Sequence, residues 1–126
     1  MSSIKKTEFS IFAKNGKSGI DLYETEIAPF IKSDLFVESW RKGSGNPLPS
    51  NCKSTYKLIN VQDVSLKFGS NSASKGVRTV LWSYREDHSK WSISEDSKKP
   101  FVCIADLNRM LSQNKRGGGA VCIRDA

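Results

Sequence analysis

Histidine is almost missing from this chain: there is one, His88, in 126 residues. Cysteine is scarce as well, with only Cys52, Cys103 and Cys122. Cys52 stands too far from a second cysteine to suggest a zinc finger, and nothing reads as a base-reading helix. No apolar run approaches a transmembrane span, so no membrane role is expected. The opening MSSIKKTEFSIF carries charge but no apolar stretch of the length a secretory signal needs. Acidic residues are in deficit, 13 against 20 Lys and Arg, for a net charge of +7. That balance favours an anionic partner, nucleic acid being the commonest, and the competing reading is a soluble domain that is simply basic. No block of five or more like charges decides between them. The basic pairs are spread: Lys5-Lys6, Arg41-Lys42, Lys98-Lys99 and Lys115-Arg116.

Taken literally, such a chain begins in the cytosol. The cysteines point elsewhere. Cys103 and Cys122 flank a polar, glycine-rich turn, the pattern of a small disulfide-closed loop in an exported protein. Closing a loop of that size is worth about 3 kcal/mol in the chain-entropy model. Cys52 is then left over, and an odd cysteine in a seemingly exported domain implies a missing partner and a missing piece of chain.

With 37% hydrophobic residues, the length suits one domain with a core. Residues 1–18 are polar, 1–9 are expected to be a poorly ordered start, and Asn15-Gly16 reads as a turn. Ile20, Tyr23, Ile27 and Phe30 recur at helical spacing over 19–32, although Pro29 should kink or end that helix. Strands are expected at 34–40, once or twice within 56–68, at 77–84, 90–94, 101–107 and 120–123. Residues 43–51 and 69–76 are dense in turn formers and are expected to be exposed loops. One helical turn follows Asn108, and Gly117-Gly118-Gly119 should break the chain before the last strand. The sum is a mixed α/β fold, richer in strands, with no internal repeat.

The most telling run is Glu86-Asp87-His88-Ser89-Lys90-Trp91. On a strand, His88 and Lys90 would point to one side and Ser89 to the other. An imidazole beside an ammonium suits phosphoryl chemistry without a metal. The imidazole attacks phosphorus or protonates a leaving oxygen, and the lysine neutralises the non-bridging oxygens. The competing reading is a solvated strand end, because any His-x-Lys triplet is a cheap motif.

The neighbours of that run sharpen it. Asp34-Leu35-Phe36-Val37-Glu38-Ser39-Trp40, Leu48-Pro49-Ser50-Asn51-Cys52 and the His88 run are followed by Cys103-Ile104-Ala105-Asp106-Leu107-Asn108-Arg109. Ser112-Gln113 and Arg116-Gly117-Gly118-Gly119-Ala120-Val121-Cys122 come next. This ordered set resembles the deoxyribonuclease II family, as do Phe12-Ala13-Lys14 and Asp21-Leu22-Tyr23. The likeness runs from about residue 10 to residue 123.

The resemblance implies an acid-active endonuclease that cuts DNA phosphodiester bonds with neither metal nor cofactor and leaves 3′-phosphates. It implies one half of a phospholipase D-like mixed α/β sandwich, with His88 and Lys90 on a central strand as the second of two His-x-Lys motifs. Asn108 would border the site, and Asp106 would share its strand face. The alternative for both is a strand-end cap. Lys115, Arg116 and the three glycines either cradle a DNA phosphate or form a plain surface hairpin. DNA affinity should come from backbone contacts and fall steeply with salt. By family likeness the compartment is lysosomal or extracellular.

The departures carry as much information. Members of that family are much longer, with a signal peptide, an N-terminal half bearing the first His-x-Lys motif, and a further helical segment ending in the cysteine that would partner Cys52. Ser92 stands where some members have cysteine. In the implied mechanism one neutral histidine attacks phosphorus while a second, protonated, gives its proton to the departing 5′ oxygen. One imidazole cannot be both. His88, in the C-terminal motif, is expected to be the acid, and an acidic optimum then follows because free imidazole titrates near ~6.5. Three readings stay open: a C-terminal fragment or partial gene product, a shortened homologue that pairs with itself as a homodimer, or a non-catalytic relative that binds DNA.

Overall fold

The computed structural model describes residues 7–69 and 77–124. Among these, eight strands and three short helical stretches follow one another. They are β1 (Phe9–Lys14), a π-helical turn (Tyr23–Ile27), α1 (Ala28–Ile31), β2 (Leu35–Glu38), β3 (Leu58–Asn60), β4 (Asp63–Phe68), β5 (Arg78–Ser83), β6 (Trp91–Ser94), β7 (Phe101–Ala105), α2 (Leu111–Asn114) and β8 (Gly118–Arg124). Six strands form one sheet in the order β1-β8-β7-β6-β2-β3, and β4 pairs with β5 as a separate hairpin. Only β2 and β3 are parallel neighbours. The architecture is mixed α/β and mostly sheet.

Alternation along each strand decides which face is core. In β2, Leu35 and Val37 point inward and are fully buried, while Phe36 points the other way. Leu58, Cys103, Ala120 and Cys122 line the same inner face, where Leu22, Tyr23, Ile27, Ala28 and Ile31 of the helical segment cover them. The helical stretch lies inside the expected 19–32 but begins only at Tyr23, leaving Ile20 outside it, and Pro29 shapes it. A proline lacks the amide donor and crowds the carbonyl four residues back, and the wider π turn directly ahead of it relieves that crowding. The segment ends at Lys32, in the left-handed conformation at φ 57°.

Several expectations change. Of the expected poorly ordered start at 1–9, residues 1–6 lie outside the described residues, while Phe9–Lys14, expected to be irregular, forms an edge strand paired with β8. The glycines do not break the chain before β8: Gly118 and Gly119 lie inside it, and a Cβ on Gly119 would meet the Phe12 carbonyl oxygen at 2.3 Å. The 43–51 loop is largely exposed, yet it is pinned by amide bonds from Leu48 to the Arg109 carbonyl and from Leu111 to the Asn46 carbonyl. Of the 69–76 loop only Gly69, which is exposed, falls among the described residues, and the rest of that expectation lies outside them. Asn15-Gly16 is a turn as expected, closed by the Ser18 amide on the Asn15 carbonyl.

Cys103 and Cys122 are bonded, as their spacing suggests. The bond does more than close a loop: the two residues are cross-strand partners on β7 and β8, and both are fully buried. Cys52 is exposed with a free thiol.

Candidate active site

The strand directions bring the candidate residues together. β1, β7, β2 and β3 all finish at the end of the sheet where β8 and β6 begin. His88, Lys90, Asp106, Asn108, Lys115 and Arg116 therefore gather at that one end.

Arg109 builds the floor there. Its side chain is 2% exposed, and its Nε donates to Asp21 Oδ2 at 2.9 Å. Nη1 donates to Asn60 Oδ1 at 2.7 Å and to the Pro49 carbonyl at 3.1 Å, and the Arg109 amide donates to Ser39 Oγ at 3.0 Å. The start of the helical segment, the end of β3 and the 46–51 loop are thus tied to one guanidinium, and the end of β2 is tied to the amide of the same residue. Asn108 is placed by this anchoring of its neighbour.

The β4–β5 hairpin delivers His88. A turn after β5, closed by the Glu86 amide on the Ser83 carbonyl, leads into a segment organised by Asp87. Its Oδ2 accepts the Trp82 Nε1 hydrogen bond at 2.8 Å, and its Oδ1 accepts the Ser89 amide at 2.8 Å, an Asx turn that brackets His88. Burial works to raise the Asp87 carboxyl, but the hydrogen bonds from Ser89 and Trp82 outweigh it and hold the group below the usual carboxylate range. The His88 ring stacks on Trp40 with centroids 4.6 Å apart and planes 23° apart, and its edge remains exposed.

The expected placement of His88 and Lys90 on a central strand needs correction. β6 is an interior strand, but it starts at Trp91. The Lys90 carbonyl still joins the ladder by accepting the Ala105 amide at 2.9 Å, whereas His88 belongs to the Asx turn. The strand rule of alternating faces does not apply to them. Lys90 Nζ instead turns back to donate to the His88 carbonyl at 2.6 Å. The ammonium is brought beside the His88 segment by the loop, not by a shared pleat.

Asp106 and Asn108 separate in the same way. β7 ends at Ala105, so the two do not share a strand face. Asp106 Oδ1 accepts the Gly119 amide at 2.8 Å, the strand-end role that was its alternative reading. Asn108 Oδ1 is buried with no hydrogen-bond partner among the described residues, and so retains an unsatisfied acceptor at the site end. Lys115 and Arg116 occupy an exposed turn between α2 and β8, two strand spacings from β6 or about 10 Å. Lys14 Nζ fixes that turn by donating to the carbonyls of Gln113, Asn114 and Arg116.

Glu38 and Trp40 were quoted in the sequence only as parts of a strand, and the structure gives them a larger place. Glu38 is fully buried, and neither carboxylate oxygen has a partner among the described residues. Burial pushes its carboxyl up to about 7, with Arg41 opposing and Asp87 adding to the shift. Alternation puts Glu38 on the face of Phe36, opposite the core side of Leu35 and Val37, so no signal in the sequence marked it as buried. Trp40 Nε1 is also buried and unpartnered. Arg41, 5% exposed, donates to the Ser39 and Val61 carbonyls and lies 4.4 Å over the Tyr84 ring, so it braces the turn that leads to His88. Among the described residues no three His, Cys, Asp or Glu side chains are grouped to hold a metal ion.

Comparison with known proteins places this geometry in context. The family model described as Deoxyribonuclease II matches residues 1–126. Deoxyribonuclease-2 of Caenorhabditis elegans is 47% identical over 115 residues, covering 91% of this chain and 28% of that protein. Plancitoxin-1 of Acanthaster planci is 41% identical over 118 residues, 94% of this chain and 30% of that protein. Deoxyribonuclease-2-alpha of Rattus norvegicus is 36% identical over 116 residues, 92% of this chain and 30% of that protein. The chain thus spans less than a third of the length of these relatives. With the whole chain matched by one family model, it belongs to the deoxyribonuclease II family.

Proposed function

We propose that this chain carries half of the active site of a deoxyribonuclease II-type endonuclease, a metal-independent acid hydrolase of DNA phosphodiester bonds that leaves 3′-phosphates. The observation that carries this reading is the exposed His88 imidazole, clamped on Trp40 by an Asx turn, with the Lys90 ammonium returned to the same turn. The names of the deoxyribonuclease-2 relatives support DNA as the substrate.

The step is written for two imidazoles. A neutral one forms a bond to phosphorus, and the bond from phosphorus to the 5′ oxygen breaks. His88, protonated, delivers its proton to that departing oxygen. His88, now neutral, then takes a proton from water as the water attacks phosphorus. The nitrogen–phosphorus bond breaks, and the 3′-phosphate leaves. Lys90 exchanges its backbone carbonyl for a non-bridging oxygen, where its charge counters the charge built up in the transition state. Lys115 and Arg116 meet flanking phosphates of the strand, and Asn108 accepts a hydrogen bond at the site's border. A lysosomal or extracellular setting fits the buried disulfide.

The second imidazole comes from a further copy of this chain or from an N-terminal half of the kind its relatives have room for. The phospholipase D-like pairing of halves is the arrangement this implies. Plasmid incubated at acid pH with chelator, followed by end-labelling of the products, tests the reading: 3′-phosphate ends support it, and 3′-hydroxyl ends overturn it. A second reading, an inactive relative that binds DNA, predicts a mobility shift and no nicks.

A further inference from the structure

Among the described residues, Glu38 holds the one fully buried carboxyl that lacks a hydrogen-bond partner. A carboxylate buried in that way is costly, so the group is carried most readily as the neutral acid, which keeps one O–H donor. Glu38 ends β2 and lies opposite Trp91 in the β6 register, with Lys90 the next residue back along the chain. The three residues that follow Glu38 all serve the site. Ser39 Oγ accepts the Arg109 amide, the Trp40 ring stacks against His88, and Arg41 lies over the Tyr84 ring. The two ring contacts dock the segment after β5, with Tyr84, Asp87 and His88, against the end of β2. Trp40 Nε1 is buried without a partner, so packing and the backbone of its segment hold the ring, not a hydrogen bond of its own. Whatever moves this segment moves the seat of His88.

We propose that Glu38 is a positioning residue: while its carboxyl carries a proton the His88 turn stays seated on Trp40, and ionisation of that carboxyl unseats it. This deepens the reading of His88 as the proton donor and rests on it. The charged groups around Glu38 set the direction. Arg41 faces it from its own segment and Asp87 from the segment after β5. Tyr84, just after β5, and Arg109 face Arg41. From β6 and β7, Trp91 and Ile104 bring no charge, and Lys90 Nζ is committed to the His88 carbonyl. Hydrogen bonds from Ser89 and Trp82 hold Asp87 below the usual carboxylate range, so it is already charged when Glu38 gives up its proton. The new carboxylate then repels Asp87, strongly where little water intervenes. Arg41 is drawn the opposite way, off the Tyr84 ring and toward the new charge. The first response strains the bonds by which Asp87 brackets His88, and the second removes the brace of the turn leading to it. Burial, with Arg41 opposing and Asp87 adding, moves this ionisation up to about 7. The turn is therefore seated in the acid range where free imidazole, near ~6.5, is protonated.

His88 is the only histidine, so its imidazole resonances identify themselves in a proton spectrum. Nuclear Overhauser contacts between that imidazole and the Trp40 indole, recorded on the full chain at about pH 5 and about pH 8, test the proposal on either side of the Glu38 ionisation. His88 loses its own proton over the same span, so the parent is compared with Glu38→Gln, which removes the Glu38 charge and leaves the imidazole to titrate. In Glu38→Gln the contact is expected at both pH values. In the parent it is expected in acid and lost at about pH 8, with the amide spectrum of the six-stranded sheet unchanged, which separates a moved turn from an unfolded chain. A contact that persists in the parent at about pH 8 would overturn the proposal, as would one lost equally in both proteins. If Glu38→Gln fails to fold, Glu38→Met, of similar length and without charge, replaces it under the same requirement. Contacts that behave as expected in a chain that leaves plasmid uncut at about pH 5 remove the nuclease reading and leave the Glu38 linkage standing. Nicking by a parent whose contact never changes removes the linkage alone.

Discussion

At the residue scale the site rests on two side chains with different kinds of support. His88 is held from both sides, by the Trp40 ring and by the Asp87 bonds to Trp82 and Ser89. His88→Ala is expected to lower nicking by ~10²–10⁴-fold, the ordinary cost of a lost general acid or base. Lys90→Met removes one charge facing the phosphate and should cost ~10²–10³-fold, by analogy with losing one oxyanion donor. Both variants should melt within about 0.5 kcal/mol of the parent, because each residue lies at the surface of the site and not in the core. Glu38 behaves differently. Its folded pKa near 7 lies above the ordinary 4.5, so the folded chain binds the proton more tightly than the unfolded chain. Stability is then complete below 4.5 and is lost as pH rises through 7. Glu38→Gln, neutral at every pH, should flatten that decline, with the two proteins converging in acid. Chemical denaturation across this range measures it, and parallel pH profiles would contradict the burial argument.

At the element scale the sequence was legible wherever local chemistry decided the outcome. The helical spacing of Tyr23 and Ile27, the block around Leu35 and Val37, and the buried run around Cys103 each declared their element. β1 was missed although Phe9, Ile11, Phe12 and Ala13 are apolar, because they lie between polar stretches and the strand is set by its pairing with β8. The glycines of β8 misled for a related reason: Gly119 is small because the Phe12 carbonyl approaches it, not because the chain turns there. The His-x-Lys run was singled out by its spacing, but the period-two rule was applied to a segment that the Asp87 side chain folds into an Asx turn. Asp106 shows the reverse case, a candidate for the site that in fact serves the β7–β8 ladder. No sequence pattern discloses that one guanidinium, that of Arg109, joins three segments, at Asp21, Pro49 and Asn60. Arg109→Met leaves Asp21 and Asn60 buried without their partner and should destabilise by about 3–5 kcal/mol, measurable by urea denaturation. Opening the buried Cys103–Cys122 bond as the double serine variant should cost about 3 kcal/mol for a separation of 19 residues, and a melt unchanged by that variant would contradict the cross-strand role.

At the scale of the whole molecule, one sheet end gathers the cations, the imidazole and the unpartnered acceptor of Asn108. The fold class and the family were readable from ordered motif blocks. The layer arrangement was not, because it depends on strand order, which brings Ile11, Val121 and Ile104 into one row from distant parts of the chain. The central claim, that His88 works only when a second imidazole joins it, is tested most directly by nicking rates over a dilution series at about pH 5, where free imidazole is largely charged. Chelator is present throughout, and His88→Ala is assayed beside the parent. A rate that falls with the square of protein concentration at low concentration, and disappears with His88→Ala, is the predicted result. A rate that stays proportional to protein concentration down to single-copy dilution, or that survives His88→Ala, would contradict it.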